Sequence, residues 1–464
     1  RCKCFKVFDK LGFRIAFQSM AFSGPKAGGG EALVAFFTKL PGKFQVPEEE
    51  LVVPSNLERY GLSEVVNRLL AQEQPIPFDF LVDGEFLRSS IGTYLEARKL
   101  SSEKVLRLEF VLALRAPEQS SVDEAPEWIS SVVALEAYPS TWFAATLYDG
   151  TVRVYEGSEM RLSTRLSDHG LAGVAALPTE RGSHLVAACQ DGTLRACALQ
   201  CGSSPQAGAV AALSPQAPPK AMQAVALSED GTLLAAGGWS SEVFVWNTEP
   251  ETFAEPESGG KRKAPANQEQ EKFTLSGHSQ VVTALTFGRK EQFPFTLLSG
   301  SWDCSVRVWD IVAASGVCNW PVARAVTSFT MNPSMPQLAT SHEDGHVSLW
   351  DIRAPSHTSI AGALSLDASA GLPLLAAQVT HQRMAQQVAW CNEDANRLAS
   401  VGHDGHLCIL DPRSLRMPLQ AVPVGKQAPF PNKLLCVAWL SKESLVVGGS
   451  DGKVLRISLA SEEV

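Results

Sequence analysis

From about Trp128 onward, apolar and polar positions recur in one register: an apolar run, a tight turn, then a second strand in which apolar and polar residues alternate. The segments are FAATLYDGTVRVY, LVAACQDGTLRAC, LLAAGGWSSEVFVW, LLSGSWDCSVRVW, LATSHEDGHVSLW, LASVGHDGHLCIL and LVVGGSDGKVLRI. Their turn positions are Asp149, Asp191, Ser240, Asp303, Asp344, Asp404 and Asp451, so six of the seven carry aspartate. Six places later comes the residue that ends each following strand: Tyr155, Cys197, Trp246, Trp309, Trp350, Leu410 and Ile457. Asp-Gly stands at five of the seven turns. A two-residue hairpin loop asks for positive φ at both central residues, which Asp and Gly tolerate, so each segment is predicted to be an antiparallel hairpin.

An upstream apolar strand precedes each turn from the second unit on: VAALP, AVALS, VTALTF, SFTM, QVAW and CVAWL. Turn-to-turn distances of 41 to 63 residues fit a unit of about 40 to 45 residues with insertions. The pattern predicts an all-β propeller of seven blades over residues 128–462. Only three strands remain for the last unit, so its outer strand is expected from before Trp128, within a linker at 117–127. Residues 201–220 and 355–374 are rich in Ala, Ser, Pro and Gly, and residues 249–271 are charged and almost free of hydrophobics; all three are expected to be mobile loops.

Residues 31–116 follow a different pattern. A strand at Leu33–Leu40 and another within Phe44–Pro54 precede a helix with Ser63 as its N-cap, the apolar stripe Val65, Val66, Leu69 and Leu70, and Pro75 beyond its end. A hairpin around Asp83-Gly84 follows, and then a strand in which Leu106, Leu108 and Phe110 face away from Val105, Arg107 and Glu109. The order β-β-α-β-β-β is that of a ubiquitin-like α/β fold. Residues 1–30 are set apart as an extension, expected to be disordered, with no function assigned.

Composition narrows the class of partner. The 464 residues are 45% hydrophobic and 19% charged, with a formal charge of -9, which suits a soluble multidomain protein and argues against broad binding to phosphate backbones. Partners are expected to be proteins, and direct contact with RNA is left unassigned. The ten cysteines include no CxxC pair and read as reduced, buried thiols. No apolar run approaches the ~18 residues that span a bilayer, so no membrane anchor is expected.

The SGH at Ser276–His278 and the VWD at Val308–Asp310 give the repeats their resemblance to WD repeats. The resemblance implies that His278, Ser299, Asp303 and Trp309 form a hydrogen-bonded brace inside the fourth blade, a structural role. The sequence departs from that pattern by losing the Trp in units one, two, six and seven and the Asp in unit three. In the first domain, YGLSEVVNRLL, PIPFDFLVDGEFLRSSI and LSSEKVLRLEFV resemble the NLE domain that precedes the propeller in two families of ribosome-assembly factor, Notchless and the Ytm or WDR-twelve family. Seven units instead of eight, the charged insertion between units three and four, and EWISSV at Glu127–Val132 favour the latter.

That resemblance implies a scaffold for large-subunit ribosome maturation in the nucleus, mainly nucleolus and nucleoplasm. Its propeller would join the pescadillo and block-of-proliferation proteins on pre-ribosomal particles. Its NLE domain would dock the metal-site domain of midasin, an AAA-type ATPase, with Glu103 as a ligand supplied in trans to a partner-held magnesium. The chain would carry no cofactor of its own. Ser101, Ser102 and Arg88 would line the contact. Lys261, Arg262 and Lys263 read either as a nuclear import signal or as a solvated basic cluster balancing adjacent glutamates. Two alternatives remain: a Notchless-type factor, which eight blades would favour, and a ubiquitin-pathway substrate adaptor. No P-loop, GxGxxG, HExxH or GxSxG pattern occurs in a suitable context, so an enzyme is not expected. The histidines flanking Asp344 and Asp404 (His342, His346, His403 and His406) read as polar hairpin residues, not metal ligands, and Cys2 and Cys4 are too few for a zinc site.

Overall fold

The computed structural model describes residues 30–459 apart from 41, 47–48, 72–75, 88, 102–103, 114–116, 140, 180–181, 201–210, 214–219, 248–271, 290–292, 294, 353–373, 414, 416–417 and 425–431. The chain forms two compact units, with the boundary between Leu112 and Ala113.

The first unit comprises β1 (Glu31–Phe37), β2 (Glu50–Pro54), α1 (Arg59–Leu69), β3 (Phe78–Val82), β4 (Glu85–Phe86), α2 (Ile91–Arg98) and β5 (Leu106–Leu112). Its five-stranded sheet has the order β2-β1-β5-β3-β4, with β1 and β5 parallel at the centre. Successive side chains of a strand point to opposite faces, so Ala32, Val34 and Phe36 of β1 and Leu106, Leu108 and Phe110 of β5 share one buried face. Leu62 and Val66 of α1 and Ile91 and Leu95 of α2 complete that core. Asp83 and Gly84 both take positive φ, 50° and 82°, as their hairpin requires.

Two expectations for this unit are corrected. A second helix, α2, lies between β4 and β5, so the order is β-β-α-β-β-α-β. Ser63 is not an N-cap; it is a buried residue inside α1, which starts after Glu58. The Ser63 hydroxyl donates to the Ile76 carbonyl at 3.2 Å and accepts the Phe78 N–H at 3.0 Å, so it ties the helix to the head of β3.

The second unit contains seven four-stranded sheets. Their inner strands are Ile129–Ala134, Leu171–Thr179, Met222–Leu227, Val282–Phe287, Val326–Met331, Ala385–Trp390 and Leu434–Ser441. Each packs on the next and the last packs on the first, which closes a seven-bladed propeller; a Notchless-type factor would have eight blades. Six blades use four consecutive strands. In the seventh, β6 (Glu118–Glu124) pairs with Lys453–Ser458 as the outer strand, so the start of the unit is hydrogen-bonded to its end.

The hairpin turns use aspartate in a way other than expected. Only the second central residue is left-handed: Gly150, Gly192, Gly345, Gly405 and Gly452, with Ser241 and Cys304 in blades three and four. The aspartate serves as an acceptor instead, because its carboxylate takes the N–H two residues on, as in Asp149 with Thr151 and Asp191 with Thr193, both at 2.8 Å. Glycine is also needed for space. A Cβ on Gly345 would lie 2.2 Å from the His381 carbonyl oxygen, and one on Gly150 would lie 2.0 Å from that of Ser167.

Candidate functional site

Blade four brings His278, Ser299, Asp303 and Trp309 together. His278 lies just ahead of the inner strand, Ser299 on the second strand, Asp303 at the turn and Trp309 near the end of the third strand. The Trp309 indole N–H donates to Ser299 Oγ at 2.8 Å, Ser299 Oγ meets His278 Nε2 at 2.7 Å, and His278 Nδ1 meets Asp303 Oδ2 at 2.8 Å. An indole only donates and an ionised carboxylate only accepts, so the consistent assignment runs Trp309 to Ser299 to His278 to Asp303. Asp303 also accepts from Ser305 Oγ and the Ser279 N–H. Burial alone pushes its carboxyl up; the bonds from His278, Ser305 and Ser279 outweigh that and hold it well below the usual carboxylate range.

The Ser–His–Asp spacing is that of a hydrolase triad, yet the surroundings rule out nucleophilic use. Ser299 is 0% exposed, and its oxygen already accepts from an indole, so no substrate carbonyl can reach it. The arrangement is a brace that spends its polar groups on one another.

Blade six carries a second brace that the sequence reading missed. His381 Nδ1 meets Asp404 Oδ1 at 3.0 Å and His381 Nε2 meets Ser400 Oγ at 2.9 Å, with Leu410 where blade four has Trp309. The available signal was a histidine shortly before the inner strand and upstream of the turn aspartate, hidden because VTH replaces SGH. In blade five the Trp350 indole donates to Thr340 Oγ1, which also meets His342 Nε2, so His342 belongs to the internal network.

Blade one solves the same problem differently. Ala145 stands where blade four has Ser299, and Tyr155 where it has Trp309. The fully buried Tyr155 donates its hydroxyl to Asp123 Oδ2 at 2.7 Å, and Arg153 Nη1 reaches the same oxygen at 2.6 Å. Asp123 belongs to β6, the outer strand of blade seven. This polar clasp therefore fastens the closing strand to the neighbouring blade. Burial raises the Asp123 carboxyl, but the bonds from Tyr155 and Arg153 prevail and lower it, while burial and then Asp123 raise the Tyr155 phenol.

The inner strands enclose a central cavity of about 240 Å³ lined by residues such as Ser131, Gln223, Thr283, Thr327 and Gln387. At one mouth, the residue before each turn position donates its N–H to a carbonyl just ahead of an inner strand. These residues are Tyr148, Gln190, Trp239, Trp302, Glu343, His403 and Ser450, with bonds of 2.9–3.3 Å. The ring follows from the repeat register, yet the sequence reading did not single it out.

In the first unit, exposed Ser101 lies between α2 and β5, where its carbonyl accepts the Lys104 N–H at 3.2 Å. Arg88, Ser102 and Glu103 lie outside the described residues, as do Lys261, Arg262 and Lys263. Among the described residues no group of three or more His, Cys, Asp or Glu is placed to hold a metal, and no helix is long and apolar enough to cross a membrane. The described cysteines are free thiols, and burial pushes Cys197, Cys408 and Cys436 up to about 12.

Comparison with known proteins matches both units. The NLE (NUC135) domain family matches residues 32–95, and the WD domain, G-beta repeat family matches residues 216–247, 269–310 and 321–351. Those repeats are blades three to five, the three that keep the strand-end Trp. A ribosome biogenesis protein WDR12 homolog of Chlamydomonas reinhardtii is 30% identical over 91% of this chain and 96% of its own length. A homolog of the same name in Arabidopsis thaliana is 28% identical over 92% of this chain and 96% of its own length. Ribosome biogenesis protein YTM1 of Eremothecium gossypii is 26% identical over 91% and 96%. Thirty per cent identity over 91% of this chain, more than either unit alone could supply, means that the chain belongs to the WDR12/YTM1 family of ribosome biogenesis proteins.

Proposed function

We propose that this chain is a non-catalytic scaffold for maturation of the large ribosomal subunit and its ribosomal RNA. The propeller joins a pescadillo and block-of-proliferation complex on pre-ribosomal particles, and the NLE unit docks midasin so that this ATPase can release the complex. The observation that carries the reading is the 30% identity to a ribosome biogenesis protein over 91% of the chain, spanning both units. The buried braces support it as well, because the propeller's Ser–His–Asp groups are committed to holding blades together.

Glu103 is the one metal ligand that the reading asks of this chain. Magnesium takes oxygen ligands, so a single carboxylate suits a metal otherwise held by the partner, and the first unit needs no metal cluster of its own. ATP is consumed by the partner. A chain that acts on pre-ribosomes would act in the nucleus, mainly nucleolus and nucleoplasm, with the Lys261–Lys263 cluster as the candidate import signal.

The test is to express the tagged full chain and a version ending at residue 112, then follow each by sedimentation with large-subunit precursors. The reading expects the full chain in the precursor fractions and the shortened one outside them. Equal co-sedimentation would show that the propeller is not the anchor.

A further inference from the structure

All three exposed tryptophans of the propeller stand on one face. Trp128, Trp239 and Trp302 are 47%, 53% and 38% exposed, whereas the other seven tryptophans of the chain are at most 8% exposed. Trp239 and Trp302 are members of the seven-residue ring at the channel mouth, and the Trp128 carbonyl accepts the N–H of a third member, Tyr148. Trp239 and Trp302 come from adjacent blades and meet edge to face at 5.8 Å, and both line the mouth of the central cavity. Trp128 packs edge to face on Tyr148 at 6.3 Å. Large aromatic side chains left in water at one rim, each held by a neighbour, have the form of binding anchors.

Charge on the same face identifies what the anchors suit. The turn aspartates Asp149, Asp191, Asp303 and Asp404 are already committed to internal hydrogen bonds. Beside ring member His403, the His403 N–H bonds to Met384, the residue after Arg383, and the next ring member, Ser450, bonds to the Lys433 carbonyl. Burial, and after it the charge of Lys433, lowers the His403 imidazole, so the positive charge of this arc comes from Arg383 and Lys433. Both side chains are exposed and form no ion pair among the described residues. Exposed Glu127, Asp168 and Glu343 punctuate the rest of the rim, where exposed Lys220 precedes the Ala221 carbonyl and Arg324 is paired with Asp344. A polynucleotide brings a phosphate at every step and would meet those carboxylates, whereas a peptide can place one or two carboxylates where the cations stand.

We propose that this mouth binds an extended segment of a partner protein, with bulky apolar side chains against Trp239 and Trp302 and acidic side chains toward Arg383 and Lys433. The proposal deepens the scaffold reading by giving the chemistry of one partner segment.

The experiment uses the purified full chain and a fluorescein-labelled heptapeptide, Gly-Asp-Glu-Phe-Leu-Asp-Gly, read by anisotropy. Controls are the same peptide with lysine for its acidic residues, the same peptide with alanine for Phe-Leu, and a ten-nucleotide oligouridylate. The acidic, apolar peptide should bind in preference to all three. Trp239→Ala with Trp302→Ala should weaken it at least roughly thirtyfold, in line with tryptophan anchors elsewhere. Arg383→Glu with Lys433→Glu should remove the preference for acid over lysine. These residues are exposed, so an unchanged melting temperature certifies that the variants fold. No binding, equal binding of the lysine or alanine peptide, or tighter binding of the oligouridylate overturns the proposal. Because no assembly factor is present, such a failure leaves the scaffold reading standing.

Discussion

Asp123→Ala should loosen the closure of the propeller, and the size of the effect follows from what it strands. The substitution removes the acceptor of the fully buried Tyr155 hydroxyl, which lies 2.7 Å away, and the partner of Arg153, whose side chain is 16% exposed. An orphaned buried hydroxyl costs about 1–3 kcal/mol, and a charge-assisted hydrogen bond contributes about 1.5–3 kcal/mol before solvent screening. Together they give about 2–4 kcal/mol. Both are carried by β6, so the loss should surface first as opening of that strand. Hydrogen exchange at Ser120, Ser121 and Asp123 should accelerate by roughly thirtyfold or more, while the strands of blade four stay near wild type. Tyr155→Phe keeps the ion pair and removes only the hydroxyl, so it should cost about 1 kcal/mol. The double variant should be less destabilised than the sum of the singles by about 1 kcal/mol or more. Uniform exchange across all blades, or strict additivity, would refute the clasp.

Three further outcomes follow from the same structure. Ser299→Ala strands both the Trp309 indole N–H and His278 Nε2, whereas Ser400→Ala strands only His381 Nε2. In urea unfolding the first should cost about 2–4 kcal/mol and the second about half as much, and the reverse order would contradict the network. Gly345→Ala drives a Cβ to 2.2 Å from the His381 carbonyl oxygen at φ 87°, so it should destabilise by at least about 2 kcal/mol, with a lowered melting temperature as the readout. The folded state depresses the Asp303, Asp404 and Asp123 carboxyls, so their contribution is fully present above the ordinary value of 3.8 and is lost as pH falls below it. Melting temperature should therefore fall steeply below about pH 4, and Asp303→Asn should flatten that fall.

The propeller was legible because six of the seven blades keep an aspartate at the turn, which in five of them accepts the N–H two residues on, and because the strand that follows ends in the same register each time. Where those residues are kept, as at Asp303 and Trp309, the brace could be read directly. Where they are substituted, tertiary partners take over, and no local pattern announces that Asp123 would answer Tyr155 from β6. The brace around His381 escaped for the same reason, since its histidine lacks the glycine that marks SGH. In the first unit α2 was hidden by its brevity. Only Ile91 and Leu95 are buried along it, and Ile91 reads as the end of the preceding apolar run. Its N-cap was visible, for Ser90 Oγ accepts the Thr93 N–H. Ser63 has the same residue type as a cap but bonds across to β3, a choice made by packing. The alternation of β5 predicted its buried face but not Glu109, which is also buried and paired with Lys39 at 3.1 Å.

In the proposed function this chain hands a pre-ribosomal complex to a magnesium-bearing ATPase, and Glu103 is the residue through which it would do so. The direct measurement is the affinity of the full-length chain for the metal-site domain of midasin, with magnesium or with chelator, for wild type and for Glu103→Ala. Truncating one partner of a buried charged contact costs about 2–5 kcal/mol, so wild type with magnesium should bind at least roughly thirtyfold more tightly than the other three combinations. Equal affinity in all four would contradict the claim.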